Sequence, residues 1–239
     1  MLSSLLIWED KMKLIPLFIT FLISFHANAA FCDDMSDYRY NPFQFIYSEY
    51  NYKADKIKIS KIQTAPEGLT KVNFFGLSAF VPAQYVKTID ENNPNRVIFK
   101  SDNNIFFIER EKELRSGCID EQVASRNKDF CSAFNSTKDL FYKFFTLTAD
   151  DLKKSKEPPS VGVLWIIHQK GFLFENTKDI HIYEGDKFTA FVQVRKDNNE
   201  SSIEKDITLF HDKLSPDHLS MGTNIKDDKF LNNFLETLE

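Results

Sequence analysis

The chain contains little glycine and proline, with seven and eight residues among 239. These are the residues that dominate flexible linkers and low-complexity tails, so the sequence argues against long disordered segments. The sequence also contains no internal repeat, and its composition does not change along the chain in a way that would mark a second domain. We therefore expect one globular domain with a substantial core.

Motifs with a specific chemistry are absent from the sequence as well. There is no Walker loop, dinucleotide fingerprint, H-E-x-x-H zinc motif or EF-hand loop. Ser78 lies within a strand pattern and one residue short of a G-x-S-x-G nucleophile elbow. The net charge is −5 and no block of basic residues occurs, which argues against nucleic acid and anionic membranes as partners. The sequence implies no cofactor.

The amino terminus is the most informative stretch that is present. Met12-Lys13 leads into an apolar run from Leu14 to Ile23, and Ala27-Asn28-Ala29-Ala30 follows. A short positive end, an apolar run and a small-x-small site are typical of a secretory signal peptide. We expect Met12 to be the start, cleavage after Ala29 and a mature domain over 30–239.

This interpretation implies a periplasmic or secreted bacterial protein with no membrane association after cleavage of residues 1–29. An uncleaved anchor is the alternative, but the run from Leu14 to Phe25 is shorter than the roughly 18–20 residues that span a bilayer as a helix. A lipoprotein is disfavoured because Phe31, which precedes Cys32, is too large for a lipidation site.

Three cysteines remain in the mature chain: Cys32, Cys118 and Cys131. An oxidising compartment favours one disulfide bond. We expect Cys118 to pair with Cys131, since closing a loop of that length stabilises a fold by about 3 kcal/mol in the chain-entropy model. Pairing of Cys32 with either of the others remains the alternative. The spacings do not resemble a zinc site.

Period-two apolar patterns and turn residues predict the strands. One long strand is expected before Pro82, and 97–99 and 105–108 are expected to form a hairpin. The predicted strands are Ile57–Lys61, Val72–Val81, Val97–Phe99, Ile105–Ile108, Asp179–Tyr183, Lys187–Arg195 and Ile203–Phe210.

Helical spacing extends from Asp120 to Lys154, where Thr148 and Asp151 resemble a capping box. The run from Val161 to Ile167 fits a helix capped by Ser160 or a buried strand, and we favour the helix. A last helix follows Asp227-Asp228, and its apolar stripe comprises Phe230, Leu231, Phe234, Leu235 and Leu238. The predicted fold class is α+β: a single-domain antiparallel sheet flanked by helices, an α/β/α sandwich.

The order of four segments resembles the PsbP-like α/β/α sandwich. They are LSAFVP (Leu77 to Pro82), RVIFKS…NIFFIE (Arg96 to Glu109), KFTAFVQV (Lys187 to Val194) and DKFLNNFLETL (Asp228 to Leu238). The family occurs in photosystem accessory proteins and exported bacterial proteins. The resemblance implies a binding or assembly role, and it carries over no catalytic residue because members share none.

The best candidate for a chemical site combines two histidines with two carboxylates. His211-Asp212 and Asp217-His218 lie a short distance apart in the sequence and could ligate a divalent metal if a loop brought them together. The favoured interpretation is structural: a polar strand end followed by a turn at Ser215-Pro216. His168 fits a core position on the apolar face of a helix. His181 alternates with Ile180 and Ile182 and fits the opposite face of its strand.

Two classes of function follow. We favour an exported, non-catalytic protein that binds a protein partner, such as an accessory or immunity factor, whose net acidity suits a basic partner. The alternative is a periplasmic hydrolase with a scattered, metal-dependent or metal-free site at His211, Asp212, Asp217 and His218. Small-ligand binding is a third candidate.

Overall fold

The computed structural model describes residues 51–62, 67–113, 133–155, 159–196 and 203–239. All of them belong to one compact unit. They form ten strands and four α-helices, which confirms an α+β fold. The expected signal peptide and the three cysteines lie outside the described residues, so the cleavage and the Cys118–Cys131 bridge stay predictions.

Eight strands form the main sheet, and each neighbouring pair is antiparallel except one. The strands are β1 Asp55–Lys58, β4 Val86–Ile89, β5 Arg96–Lys100, β6 Ile105–Glu111, β7 Thr177–Glu184, β8 Phe188–Arg195, β9 Lys205–His211 and β10 His218–Thr223. Their spatial order is β1-β7-β8-β9-β10-β6-β5-β4. The exception is the parallel pair β1–β7, so the sheet is mixed, whereas an antiparallel sheet was expected. The long chain between these strands permits the crossover that parallel pairing requires.

The single strand expected over 72–81 is also wrong, because the chain reverses in its middle. β2 (Leu69–Phe74) and β3 (Leu77–Pro82) pair antiparallel as a separate two-stranded sheet. Phe75 and Gly76, with φ of 47° and 79°, form the two-residue turn. Positive φ at both positions matches the twist of a tight hairpin, but Phe is rarely found there, which hid the turn in the sequence.

Two strands of the main sheet were not predicted. β4 is only four residues long and every side chain on it is exposed, so it lacks an alternating pattern. β10 contains Gly222, where a Cβ would lie 2.5 Å from the ring of Phe107 on β6. The Phe107 ring leaves no room for a side chain at position 222. This close approach explains why a glycine stands in the strand, although glycine weakens strands.

The helices agree with the predicted ones from Thr137 onward, while 120–132 of the expected helical segment lie outside the described residues. They are α1 Thr137–Thr146, α2 Ala149–Lys154, α3 Val161–Leu173 and α4 Asp228–Glu236. Thr148 and Asp151 form the predicted capping box, and the Ser160 side chain accepts from Val163 N, which confirms a helix over 161–173. No helix among the described residues is long and apolar enough to cross a membrane.

Alternation along β8 defines two faces of the main sheet. Ala190 and Val192 belong to one hydrophobic cluster, which also holds the whole predicted stripe of α4; we call this side the α4 face. Phe191, between them, belongs to a second cluster with Phe144 of α1 and Ile166 of α3; we call this side the α1–α3 face. The predicted period-two pattern of this strand is confirmed.

Candidate functional site

The two histidines of the predicted cluster lie on opposite faces of the sheet. On β9, His211 alternates with Phe210 and therefore shares the α4 face with Leu209. His218 begins β10, and its ring stacks on Phe210 with centroids 5.0 Å apart, on the α1–α3 face. The sheet thus separates the two imidazoles.

The other predicted ligands are held by local structure. His211 Nδ1 accepts from Lys213 N at 3.1 Å, at the start of a short 3₁₀ turn that begins with Asp212. Asp217 accepts from Arg110 at 2.8 Å. Among the described residues, no group of three or more His, Cys, Asp or Glu side chains could hold a metal ion.

His218 is nevertheless unusual, because its imidazole is 2% exposed and its Nδ1 has no hydrogen-bond partner. Phe141 of α1 covers it with ring centroids 6.4 Å apart. Burial lowers the pKa of His218 to about 4, against the opposing influence of Glu113 and Asp217. The ring is therefore neutral near pH 7 and one ring nitrogen is an acceptor.

Glu109 and Glu111 of β6 project toward the α1–α3 face, because they alternate with buried Ile108 of the α4 face. Glu113 follows two residues after the end of the strand. We call Glu109, Glu111 and Glu113 the carboxylate row. Its two outer members are occupied. Glu109 accepts from Arg96 Nε at 2.8 Å, and Glu113 accepts from Thr137 N at 2.7 Å, at the start of α1.

The middle member, Glu111, has neither a hydrogen bond nor an ion pair among the described residues. It is half-buried, and it lies directly opposite His218 in the β6–β10 register. Burial raises the pKa of Glu111, and the charge of Glu109 raises it further, while the charge of Arg96 lowers it. The fold therefore keeps this carboxylate half-buried and, among the described residues, without a hydrogen bond or ion pair of its own.

A second feature is the outer edge of β4, which among the described residues pairs with β5 alone. Val86 and Ile89, at its two ends, are 65% and 66% exposed. Lys87 is exposed as well, and its Nζ donates to the carbonyl of Asn73 on β2 at 2.6 Å. We call this the β4 edge. An unpaired strand edge presents backbone N–H and C=O groups with which a further strand can pair.

Sequence reasoning missed both features, although one left a signal. The prediction ended the strand at Ile108, yet Glu109, Glu111 and Glu113 continue with period two. That alternation predicts a row on one face. Nothing in the sequence around Val86 announces a sheet edge, because strand order is a property of the whole fold.

Comparison with known proteins assigns this arrangement to no family. No protein-family model matches the chain, and no curated protein is significantly similar to it in sequence.

Proposed function

We propose that the protein is an exported, non-catalytic protein that binds a protein partner outside the cytoplasm, as an accessory or immunity-type factor. The observation that carries the proposal is the β4 edge, where a sheet edge and two large exposed apolar side chains coincide. An extended segment of a partner can add to such an edge through main-chain hydrogen bonds, with side-chain contacts supplying specificity.

The opposite edge of the sheet supports this choice. β1 carries exposed Lys56 and Lys58, and charged lysines are a common means of discouraging further strand pairing. At the β4 edge the one lysine is bound to the β2–β3 sheet. Val86 and Ile89 alternate to opposite faces, so a partner that covers both must enclose the edge.

The proposal includes the compartment and the finer architecture. The signal-like amino terminus supports a periplasmic or secreted location. The apolar stripe of α4 on one face and residues of α1 and α3 on the other support a helix-flanked sandwich of the PsbP-like kind. A hydrolase built on His211 and His218 would need both imidazoles at one site, and they lie on opposite faces.

Replacement of Ile89 by lysine tests the proposal. The protein purified from its native cell envelope is expected to carry a partner, and Ile89→Lys is expected to lower the recovered partner at least tenfold, because a charge replaces an apolar contact. Partner recovery is measured by quantitative mass spectrometry, and the dissociation constant of the purified partner by calorimetry. Since Ile89 is exposed, the fold is expected to persist.

Asn176→Lys is the matched control, as it adds the same charge at an exposed position away from β4. This variant is expected to retain the partner. Equal recovery by the wild-type protein and Ile89→Lys would contradict binding at the β4 edge.

A further inference from the structure

The main-chain groups along the β4 edge point alternately toward and away from β5. Asp90, the residue after β4, donates its backbone N–H to the carbonyl of Arg96 at 3.3 Å, so its main-chain groups point toward β5. Successive residues of an antiparallel strand direct these groups to opposite sides. The N–H and C=O groups of Lys87 and Ile89 therefore point away from β5, where an added strand would pair with them.

The side chains of the same two residues lie on the α4 side of the edge. In the β4–β5 register, Ile89 lies opposite Val97, a member of the hydrophobic cluster of the α4 face. Lys87 lies opposite Phe99, another member of that cluster. Because directly opposite residues of an antiparallel pair share a face, an added strand sets one side chain beside Ile89 and another beside Lys87.

These two positions differ in the chemistry that they favour. Ile89 is a large exposed apolar side chain, so an apolar neighbour removes area of both from water. The ammonium of Lys87 has three donors, and the carbonyl of Asn73 accepts from one of them. A carboxylate beside Lys87 can therefore accept a charged hydrogen bond. Val86, which is exposed on the other face, favours a second apolar neighbour.

We propose that the β4 edge binds an antiparallel segment of the partner that reads, from its amino to its carboxyl end, apolar, polar, acidic and apolar. The first apolar residue lies opposite Ile89, the acidic residue opposite Lys87 and the last apolar residue opposite Val86. Antiparallel pairing is the more stable arrangement per residue. The inference rests on the proposed function and deepens it, because it names the chemistry of the segment that binds.

A second copy of this chain matches the edge less well. Two β4 strands pair antiparallel only where the outward groups of Lys87 and Ile89 in one copy meet those of the same residues in the other. The registers that pair more than one residue of each β4 place Lys87 opposite Ile89 or Lys87 of the second copy. The first register offers no carboxylate, and the second sets like charges opposite each other, which is destabilising. The charge of Lys87 therefore favours a different chain.

Two blocked peptides test the sequence of the segment: acetyl-Thr-Val-Thr-Glu-Val-Thr-amide, and the same peptide with lysine in place of glutamate. The full-length protein is titrated with each at low ionic strength and followed by NMR. The glutamate peptide is expected to bind about fivefold more tightly, because it sets an opposite rather than a like charge beside Lys87. It is expected to shift the amide resonances of Lys87 and Ile89 more than that of Thr88, whose amide faces β5.

Reversal of the charge at position 87 provides the decisive variant. Lys87→Glu is expected to prefer the lysine peptide by a similar factor. A general loss of stability would lower both affinities without exchanging the rank of the two peptides. Lys58→Glu is the matched control, since it makes the same reversal at an exposed position of β1, at the other end of the sheet. This variant is expected to keep the wild-type preference.

The outcomes separate this inference from the proposed function. Equal affinities of the two peptides, an unchanged preference in Lys87→Glu, or binding of neither peptide would overturn the acidic segment. The proposed function depends instead on loss of the native partner in Ile89→Lys. A wild-type dimer in sedimentation experiments that Ile89→Lys dissociates would identify a second copy as the occupant and would also overturn the inference.

Discussion

Replacement of Lys170 by methionine is expected to lower the free energy of unfolding by about 3 kcal/mol at pH 7. Methionine keeps the apolar stem but removes the donors, and each buried carbonyl left without a donor costs about 1–3 kcal/mol. Urea unfolding monitored by circular dichroism measures the change. The fluorescence of Trp165, which lies on the same helix, provides a second probe.

The position of Lys170 explains the size of this effect. The residue lies in the last turn of α3 and is 0% exposed. Its Nζ donates to the carbonyl of Leu147 at 2.7 Å and to the carbonyl of Tyr52. Leu147 is the C-cap of α1, so the cation meets the negative end of a helix dipole. One side chain thus joins two helices and the segment before β1.

The deficit of Lys170→Met is expected to widen by about 2.5 kcal/mol between pH 6 and pH 9. Burial lowers the pKa of Lys170 to about 7 from 10.5. Between these values the unfolded chain holds a proton that the folded protein has released, so wild-type stability rises with pH by up to about 1.4 kcal/mol per unit. The variant has no such group.

Lys178→Met is the control for this pair of measurements, because Lys178 is an exposed lysine on β7. Its replacement is expected to change stability by less than about 0.5 kcal/mol at either pH. A Lys170→Met variant as stable as wild type would show that the two carbonyls do not depend on this donor.

Acidification is expected to destabilise the wild-type protein by about 2.5 kcal/mol more than His218→Phe between pH 7.5 and pH 4.5. Burial lowers the pKa of His218 to about 4 from 6.5. In that window the unfolded chain binds a proton that the folded protein does not. The associated stability is complete above pH 6.5 and is lost as the pH falls toward 4.

Phenylalanine suits this experiment because it preserves the stacking against Phe210 and Phe141 while removing the titration. Unfolding curves at both pH values are compared between the two proteins, which cancels the carboxylates they share. An NMR titration of the His218 ring supplies the folded-state pKa directly. Parallel pH profiles for the two proteins would show that His218 titrates alike in the folded and unfolded chains.

Local elements were accessible from the sequence wherever side chains within one segment decide the structure. The Thr148–Asp151 capping box, the Ser160 cap and the stripe of α4 are set by residues three or four positions apart. The chain reversal at Phe75 was not predicted, because phenylalanine seldom adopts the positive φ that this turn uses. β10 was not predicted, because the need for Gly222 becomes visible only when Phe107 of β6 packs against it.

The candidate sites required the assembled sheet. Proximity in sequence grouped His211 with His218, but β9 and β10 present them to opposite faces, since each strand alternates its side chains. Pairing of β10 with β6 instead brought His218 opposite Glu111. Strand order likewise placed β4 at an edge.

The sequence by itself determined the α+β class, the helix caps and the apolar faces, because these depend on the chemistry and period of neighbouring residues. Only the tertiary structure decided the parallel β1–β7 pair, the β4 edge and the opposition of Glu111 to His218. The physical reason is that pairing between strands distant in sequence reflects how both faces of the whole sheet are buried, and no local pattern records that balance.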